Sequence, residues 1–241
     1  ANVRAETRHY ERVFKRADGL IAISKSAKDD AVRLLRLDPA RIDVIYPGIP
    51  DRYFDPAPNA HGITKPFVLF VGTVEPRKNI DTLLDAWLQL PASTREAHEL
   101  VFVGPIGWAG EVTVQRLRSG IQGVRVLGYV PEADLPSLTA AATVFAYASL
   151  YEGFGFPLAQ AMAAGVPVIT SNVSSMPEVA GDAGLLVDPR STSELAAALQ
   201  RLLTSPSQRE AMGTRGRKLA QQFTWKNSAE RSAEFFTRVG S

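Results

Sequence analysis

The sequence has no cysteine and only three histidines among its 241 residues. Without thiols the chain forms neither disulfides nor thiolate metal sites, which fits a reducing compartment. His9, His61 and His98 stand far apart, without the spacing of metal ligands, and there is no Asp-X-Asp motif. The sequence therefore predicts a site that needs no metal and no cofactor.

Long apolar segments and a strong charge bias are also lacking. No stretch approaches the roughly 20 apolar residues that span a bilayer, and runs such as "LVFVG" (100–104) end at glycine. The formal net charge is +2, without a run of five basic residues that would indicate nucleic acid. The first residues lack the apolar core of a signal peptide and an initiator methionine, so we interpret this start as a cut. We expect a cytoplasmic protein without a transmembrane segment or nucleic-acid partner.

Short apolar runs that end in glycine or a small polar residue alternate with segments of helical spacing. Near-continuous apolar runs are typical of strands covered on both faces, and their alternation with helices predicts an α/β fold with a doubly wound parallel sheet, Rossmann-like. Ligands of such sheets bind beyond the carboxyl ends of the strands. The predicted strands are 67–72, 99–104, 124–128, 143–149, 166–171 and 184–189, and the helices are 79–90, 108–120, 157–165 and 192–203.

The chain divides into three parts by pattern. Residues 1–58 are interpreted as the end of a preceding domain, with a helix capped by Ser24 or Ser26, and the crossover linker. The proline-rich stretch that indicates this linker spans 49–66. Residues 59–222 form the predicted Rossmann-like domain. Residues 223–241 predict a final helix capped by Thr224. Its apolar stripe, formed by Trp225, Ala229, Ala233 and Phe236, either packs on the domain or stays partly exposed where a neighbouring domain is absent.

Two loops after predicted strands carry candidate chemistry. In the first, Gly72 and Thr73 precede Arg77 and Lys78 near the start of a helix. A guanidinium, an ammonium and free backbone N–H groups favour phosphate there. The alternative is a solvated basic corner.

The second loop, "YEGFGFPLAQ" (151–160), places Glu152 before two glycines and a helix start. Gly153 and Gly155 permit close approach of a ligand to the backbone, and Pro157 suits the first helical position. The loop aims amides at an anion, while Glu152 at its lip is suited to accept hydrogen bonds from neutral hydroxyls. Phosphate plus hydroxyls describes a sugar phosphate or a nucleotide sugar. The alternative is a tight turn with Glu152 facing water.

Both loops resemble the C-terminal, donor-binding domain of the GT-B glycosyltransferases, specifically the retaining family 4 and its mannosyltransferase-like members. The resemblance rests on "FVLFVGTVEPRKNIDTLLDAW" (67–87) and the block from 127 to 189, and covers about residues 40–235. It implies that Arg77 and Lys78 clamp the donor diphosphate and that Glu152, the first acid of an E-x7-E motif, holds sugar hydroxyls. It further assigns donor contacts to the backbone of Gly153, Phe154, Gly155, Phe156, Pro157 and Leu158, and base contacts to Tyr129 and Val130.

Two positions depart from the family pattern. The second motif acid, which the resemblance places on the ribose hydroxyls, is Gln160 here. A neutral acceptor forms roughly half as strong a hydrogen bond as a charged one. Thr73 stands where many relatives carry an arginine, so Arg77 and Lys78 must neutralise more of the diphosphate.

The resemblance implies a retaining hexosyltransferase of polysaccharide or glycolipid biosynthesis. It would use a GDP- or UDP-linked sugar, with mannose favoured, and a saccharide or lipid-linked acceptor. Arg77, Lys78 and Glu152 would be catalytic, the cations stabilising the leaving phosphate. The N-terminal domain of the same protein is a further expected partner, through which the protein would contact the inner face of a membrane, and without which we expect no activity. Alternatives are a nucleotide-binding module without transfer, or a dinucleotide oxidoreductase, which the absence of a G-x-G-x-x-G fingerprint disfavours.

Overall fold

The computed structural model of the chain describes residues 13–108 and 111–240. It contains a two-stranded and a six-stranded sheet, and every strand pairing is parallel. The strands are β1 Leu20–Ala22, β2 Ile42–Val44, β3 Phe67–Val71, β4 Glu99–Val103, β5 Val124–Gly128, β6 Val144–Tyr147, β7 Val168–Ser171 and β8 Gly184–Val187. The smaller sheet pairs β1 with β2, and the larger contains β3 to β8.

The helices alternate with these strands along the chain. They are α1 Lys25–Leu35, α2 Ile80–Gln89, α3 Ala92–Ala97, α4 Glu111–Arg118, α5 Leu135–Ala140, α6 Phe156–Ala163, α7 Met176–Ala180, α8 Thr192–Thr204, α9 Pro206–Ala220 and α10 Trp225–Val239. The predicted strands and helices are present, most of them one or two residues shorter than predicted, as is usual at element ends. The segment predicted as helix over 108–120 is helical over Glu111–Arg118.

The strand order of the larger sheet is β5-β4-β3-β6-β7-β8. The chain runs outward from β3 to β5, then returns to the other side of β3 and continues from β6 to β8. This is the doubly wound order of Rossmann-like folds, so the predicted fold class is confirmed. The loops after β3 and β6 diverge at the point where the order reverses, which opens a crevice at the carboxyl edge of the sheet.

The apolar strands are buried because helices cover both faces of the sheet. All four residues of β6 and of β7 are buried, and so are the first four of β3. Leu158 and Met162 of α6 have no exposed surface, as the helical spacing predicted. Each such side chain contributes about 1.5–3 kcal/mol relative to an exposed position. This core fixes the two strand ends that carry the candidate loops.

The front of the chain is joined to the Rossmann-like unit by backbone and ring contacts. The Ile49 amide donates to the Phe223 carbonyl at 2.8 Å, and Tyr46 packs edge-on to Phe223 with ring centroids 5.4 Å apart. Tyr53 and Ile63, within the predicted linker, are buried in the main core. The domain boundaries at 58 and 222 stay predictions.

The two predicted caps at the ends of the chain are present. Ser24 caps α1, accepting from the amide of Ala27, and Thr224 caps α10, accepting from that of Asn227. Of the two alternatives for the α10 stripe, packing on the domain was wrong and exposure is observed, because Trp225, Ala229, Ala233 and Phe236 are all exposed. Phe235 is the buried residue of this helix. Within the described residues, no helix is both long and apolar enough to cross a bilayer.

Candidate active site

The candidate site lies where β3 and β6 end, at the reversal of strand order. After β3 the chain forms the loop 72–75 and a 3-10 turn, Pro76–Lys78. Asn79, with a left-handed φ of 59°, then donates from Nδ2 to the carbonyls of Ala148 at 3.0 Å and Pro189 at 2.6 Å. These bonds fasten the β3 loop to the segments that follow β6 and β8. The sequence-predicted cations and Glu152 are thereby brought together.

A compact charge cluster occupies this crevice. Lys78 Nζ donates to Glu152 Oε1 at 2.6 Å, and Arg77 Nη1 donates to Glu152 Oε2 at 2.6 Å. The Tyr147 hydroxyl donates to Oε1 at 2.8 Å and also accepts from Lys78. Glu152 and Lys78 are each only 7% exposed. The alternative in which Glu152 faces water was wrong, because its carboxylate is buried and paired with both predicted phosphate-binding cations.

The pKa values of the cluster follow from this arrangement. Burial alone would raise the pKa of Glu152, but hydrogen bonds from Lys78 and Tyr147 and the nearby cations outweigh it and lower that pKa. Burial dominates at Lys78 and lowers its pKa; Arg77 adds repulsion, and the contact with Glu152 offsets these effects only in part. Burial and the Glu152 carboxylate raise the pKa of Tyr147 well above its ordinary value. Arg77 also contacts the Glu75 carboxylate at 2.7 Å, so the two cations face two carboxylates.

Residues 153–155 form a glycine-rich turn that leads into α6, and residues 156–158 begin that helix. Gly155 precedes the helix with φ of 94°, and a Cβ added there would lie 2.3 Å from Met176 Cε. Pro157 is the second helical residue rather than the first, since α6 starts at Phe156. The side chains of Phe154 and Leu158 are buried. Only their backbone groups are therefore placed to face a ligand, alongside the glycines.

The remaining predicted site residues lie at different distances from the cluster. A Cβ on Gly72 would come 3.6 Å from Lys78 Cε, and Thr73 follows in the same loop. Gln160 is half-buried on α6, just over one turn from the helix start. Tyr129 and Val130 follow β5, two strands further along the sheet edge, where Tyr129 is 75% exposed and Val130 packs against the core.

Sequence reasoning missed four contributors. Tyr147 was hidden within an apolar strand, although its place as the last residue of β6 was the available signal. Glu75, which lies next to Pro76, accepts from Arg77 Nη2 at 2.7 Å and from Trp108 Nε1 at 2.8 Å. Ser174 accepts from the Glu152 amide at 3.1 Å, and Ser175 donates to the Glu152 carbonyl at 2.9 Å. These bonds set the direction of the Glu152 side chain.

The cluster opens into a cleft of about 510 Å³ lined by Ile23, Arg77, Lys78, Tyr147 and residues 151–157. The cleft offers two buried charges, a phenol and backbone amides within one space. In the residues that the structure describes, no group of three or more histidine, aspartate or glutamate side chains is placed to hold a metal ion. His9 lies outside those residues. Chemically, the cleft can bind an oxyanion through its cations and amides and a hydroxyl through Glu152.

Comparison with known proteins places the chain in a family. The model for glycosyl transferases group 1 matches residues 51–219, and that for glycosyltransferase family 4 matches residues 2–53. The chain belongs to the group 1 glycosyltransferases.

Its relatives include mannosyltransferases. O-antigen chain mannosyltransferase B of Escherichia coli is 47% identical over 163 residues, covering 67% of this chain and 43% of that protein. The MMP alpha-(1->4)-mannosyltransferase of Mycolicibacterium hassiacum is 28% identical over 95% of this chain and 56% of its own length. The chain thus spans less than two thirds of either relative.

Solved GT-B glycosyltransferases share the architecture. Sucrose-phosphate synthase of Thermosynechococcus elongatus aligns with a TM-score of 0.82 and 26% identity, over 95% of this chain and 60% of that one. Anabaena Alr3699/HepE, solved with UDP and glucose, aligns with a TM-score of 0.82 at 23% identity over 93% of this chain and 64% of its own. The predicted resemblance to GT-B glycosyltransferases of family 4, and to their mannosyltransferase-like members, is confirmed.

Proposed function

We propose that this chain binds the nucleotide-sugar donor of a retaining mannosyltransferase, with GDP-mannose as the favoured donor and UDP-sugars as the alternative. The acceptor is a saccharide or a lipid-linked saccharide in polysaccharide or glycolipid assembly. The proposal is supported by the mannosyltransferases among the relatives and by the composition of the cleft. Arg77, Lys78 and Glu152 are its central residues.

The observation that carries the proposal is the pairing of both cations with Glu152 at the strand-order reversal. A diphosphate that enters the cleft competes with Glu152 for the two cations, because it carries more negative charge and fits the guanidinium fork. Glu152 is then released to accept hydrogen bonds from sugar hydroxyls. One exchange of partners would therefore bind both ends of a diphosphate sugar.

In the transfer step, the bond between the anomeric carbon and the β-phosphate oxygen breaks as the acceptor oxygen attacks. The acceptor proton passes to the leaving phosphate, so Glu152 need not act as a nucleophile. Fixed cations and backbone amides stabilise the charge that develops on the departing diphosphate. In this proposal Arg77 and Lys78 provide the positive charge, without a metal ion or a further cofactor.

Titration calorimetry tests the binding step directly. We expect GDP-mannose and GDP to bind the wild-type chain, and Lys78→Met to weaken both because it removes the buried ammonium. Lys226→Met, at an exposed position on α10, is the matched control that removes one charge elsewhere. Binding of NAD alone, or unchanged affinity of Lys78→Met for every nucleotide sugar, would overturn the proposal.

A second candidate is a nucleotide-binding module without transfer activity. It is favoured by the share of the two reported mannosyltransferases that the chain spans, 43% and 56% of their length. Donor binding without release of GDP from GDP-mannose in the presence of acceptors would support this candidate. Transfer would then need the acceptor-side domain, which is also the part through which we propose any contact with the inner face of a membrane.

A further inference from the structure

We infer that Trp108, in the loop after β4, is the stacking surface for the nucleobase of the donor. The inference rests on the proposed function and assigns a residue that neither loop motif contains. Trp108 is 70% exposed, while its indole Nε1 donates to Glu75 Oε2 at 2.8 Å. Its edge is thus fixed and most of its surface is open.

Backbone bonds hold the loop of Trp108 against the predicted phosphate-binding loop. The Val74 amide donates to the Pro105 carbonyl at 2.9 Å, and the Gly107 amide donates to the Val74 carbonyl at 3.1 Å. Gly107 lies so close to Thr73 that an added Cβ would be 2.6 Å from Thr73 Cγ2. The position of the indole is therefore tied to the segment that we propose binds the diphosphate.

Glu75 connects the indole to the charge cluster. Its carboxylate binds Trp108 through Oε2 and Arg77 through Oε1, at 2.7 Å, and Arg77 in turn binds Glu152. Packing contributes little to holding a solvent-exposed tryptophan in one position. The Glu75 carboxylate, itself fixed by Arg77, instead holds the Trp108 indole, which indicates a side chain positioned for a ligand. A rigid aromatic surface binds a planar base at low entropic cost.

The order of the loops along the sheet indicates that Trp108 meets the nucleobase of the donor and not its sugar. Glu152 follows β6, the cations follow β3, and Trp108 follows β4, and these strands are consecutive neighbours in the order β4-β3-β6. A nucleotide sugar has its diphosphate between sugar and nucleoside. With the sugar at Glu152 and the diphosphate at the β3 loop, the nucleoside lies on the β4 side, which carries Trp108.

Tryptophan fluorescence tests this assignment because the chain has only three tryptophans. Trp87 is fully buried in the core and Trp225 lies on α10. We expect GDP to quench the emission of the wild-type chain and of Trp225→Phe, whereas inorganic pyrophosphate alone does not quench it. In Trp108→Phe the nucleotide-dependent change should disappear, although calorimetry still detects GDP.

Affinity provides the second measurement. Base stacking on an aromatic side chain contributes enough that Trp108→Leu should bind GDP about 5- to 100-fold more weakly, with pyrophosphate affinity unchanged. If the wild-type chain binds GDP without a change in Trp108 emission, or if Trp108→Leu keeps full GDP affinity, the inference is wrong and the proposed function stands. If calorimetry detects no nucleotide binding at all, both are wrong.

Discussion

Replacing Glu152 by glutamine separates the structural role of the charge cluster from its binding role. Glutamine keeps the size of the side chain and one acceptor oxygen but removes the carboxylate that Lys78 contacts at 2.6 Å. Removing one partner of a buried ion pair typically costs about 3–5 kcal/mol. Arg77 is 41% exposed and can turn to water, so we expect about 2–4 kcal/mol here.

Urea denaturation and thermal unfolding measure this loss. For a chain of this size, a loss of about 3 kcal/mol lowers Tm by about 6–12 °C. The acid side of the stability curve gives a second readout. Because the folded-state pKa of Glu152 lies below its ordinary value of 4.5, its pairing stabilises the fold above that value and is lost as pH falls through the folded-state pKa. The glutamine variant should lack this acid-dependent loss.

The same variant should bind pyrophosphate more tightly than the wild type, because the anion no longer displaces a carboxylate from Arg77 and Lys78. We expect a gain of about tenfold, which corresponds to about 1.4 kcal/mol, together with a smaller preference for GDP-mannose over GDP. Glu234→Gln, at an exposed position on α10, is the control for loss of one negative charge. Unchanged stability together with unchanged pyrophosphate affinity would refute the reasoning.

Three further changes test other parts of the site. Gln160→Glu should tighten GDP binding about 3- to 10-fold in calorimetry, since a charged acceptor binds ribose hydroxyls more strongly; weaker binding would mean that repulsion from the diphosphate dominates. Tyr147→Phe should cost about 1–3 kcal/mol in urea denaturation, because a buried hydroxyl between Lys78 and Glu152 is lost, and a neutral result would contradict its bridging role. Gly155→Ala should cost about 1–3 kcal/mol and weaken donor binding, because φ is 94° there. Gly153→Ala, which meets only Ile23 Cδ1 at 3.3 Å, should be tolerated; equal losses in both would show that close approach at Gly155 is not special.

The sheet and its loops were predictable because they depend on local pattern. Apolar runs such as 67–72 and 143–149 carry the signal of buried parallel strands, and the glycine loops at their ends identified the carboxyl edge. The stripe of α10 was not predictable in the same way. Helical spacing identifies an apolar face, but whether Trp225 or Phe235 is buried depends on how the helix lies against the segments around Gly19 and Gly48, which approach these two side chains. That orientation is a tertiary property.

The ion pairs of Glu152 with Arg77 and Lys78 could not be predicted from the sequence either. Motif spacing placed Arg77, Lys78 and Glu152 on neighbouring loops, yet it could not show that the carboxylate turns inward. That direction depends on Ser174 and Ser175, which are more than 20 residues away and bind the Glu152 backbone. Tyr147 was missed for a related reason, since an aromatic residue in an apolar strand normally indicates core. Its hydroxyl matters only because the strand ends at the cluster.

The internal pairing of Glu152 also has a consequence for ligand selection. A bare diphosphate can take Arg77 and Lys78 from Glu152, but it then leaves a buried carboxylate with Tyr147 as its remaining hydrogen-bond donor within the cluster. Leaving a charged group poorly paired is costly. A nucleotide sugar avoids this cost, because its hydroxyls donate to the carboxylate that its diphosphate displaces. The cleft therefore discriminates by requiring one ligand to supply both an anion and hydroxyl donors, and the ion pair of the free protein sets the size of that preference.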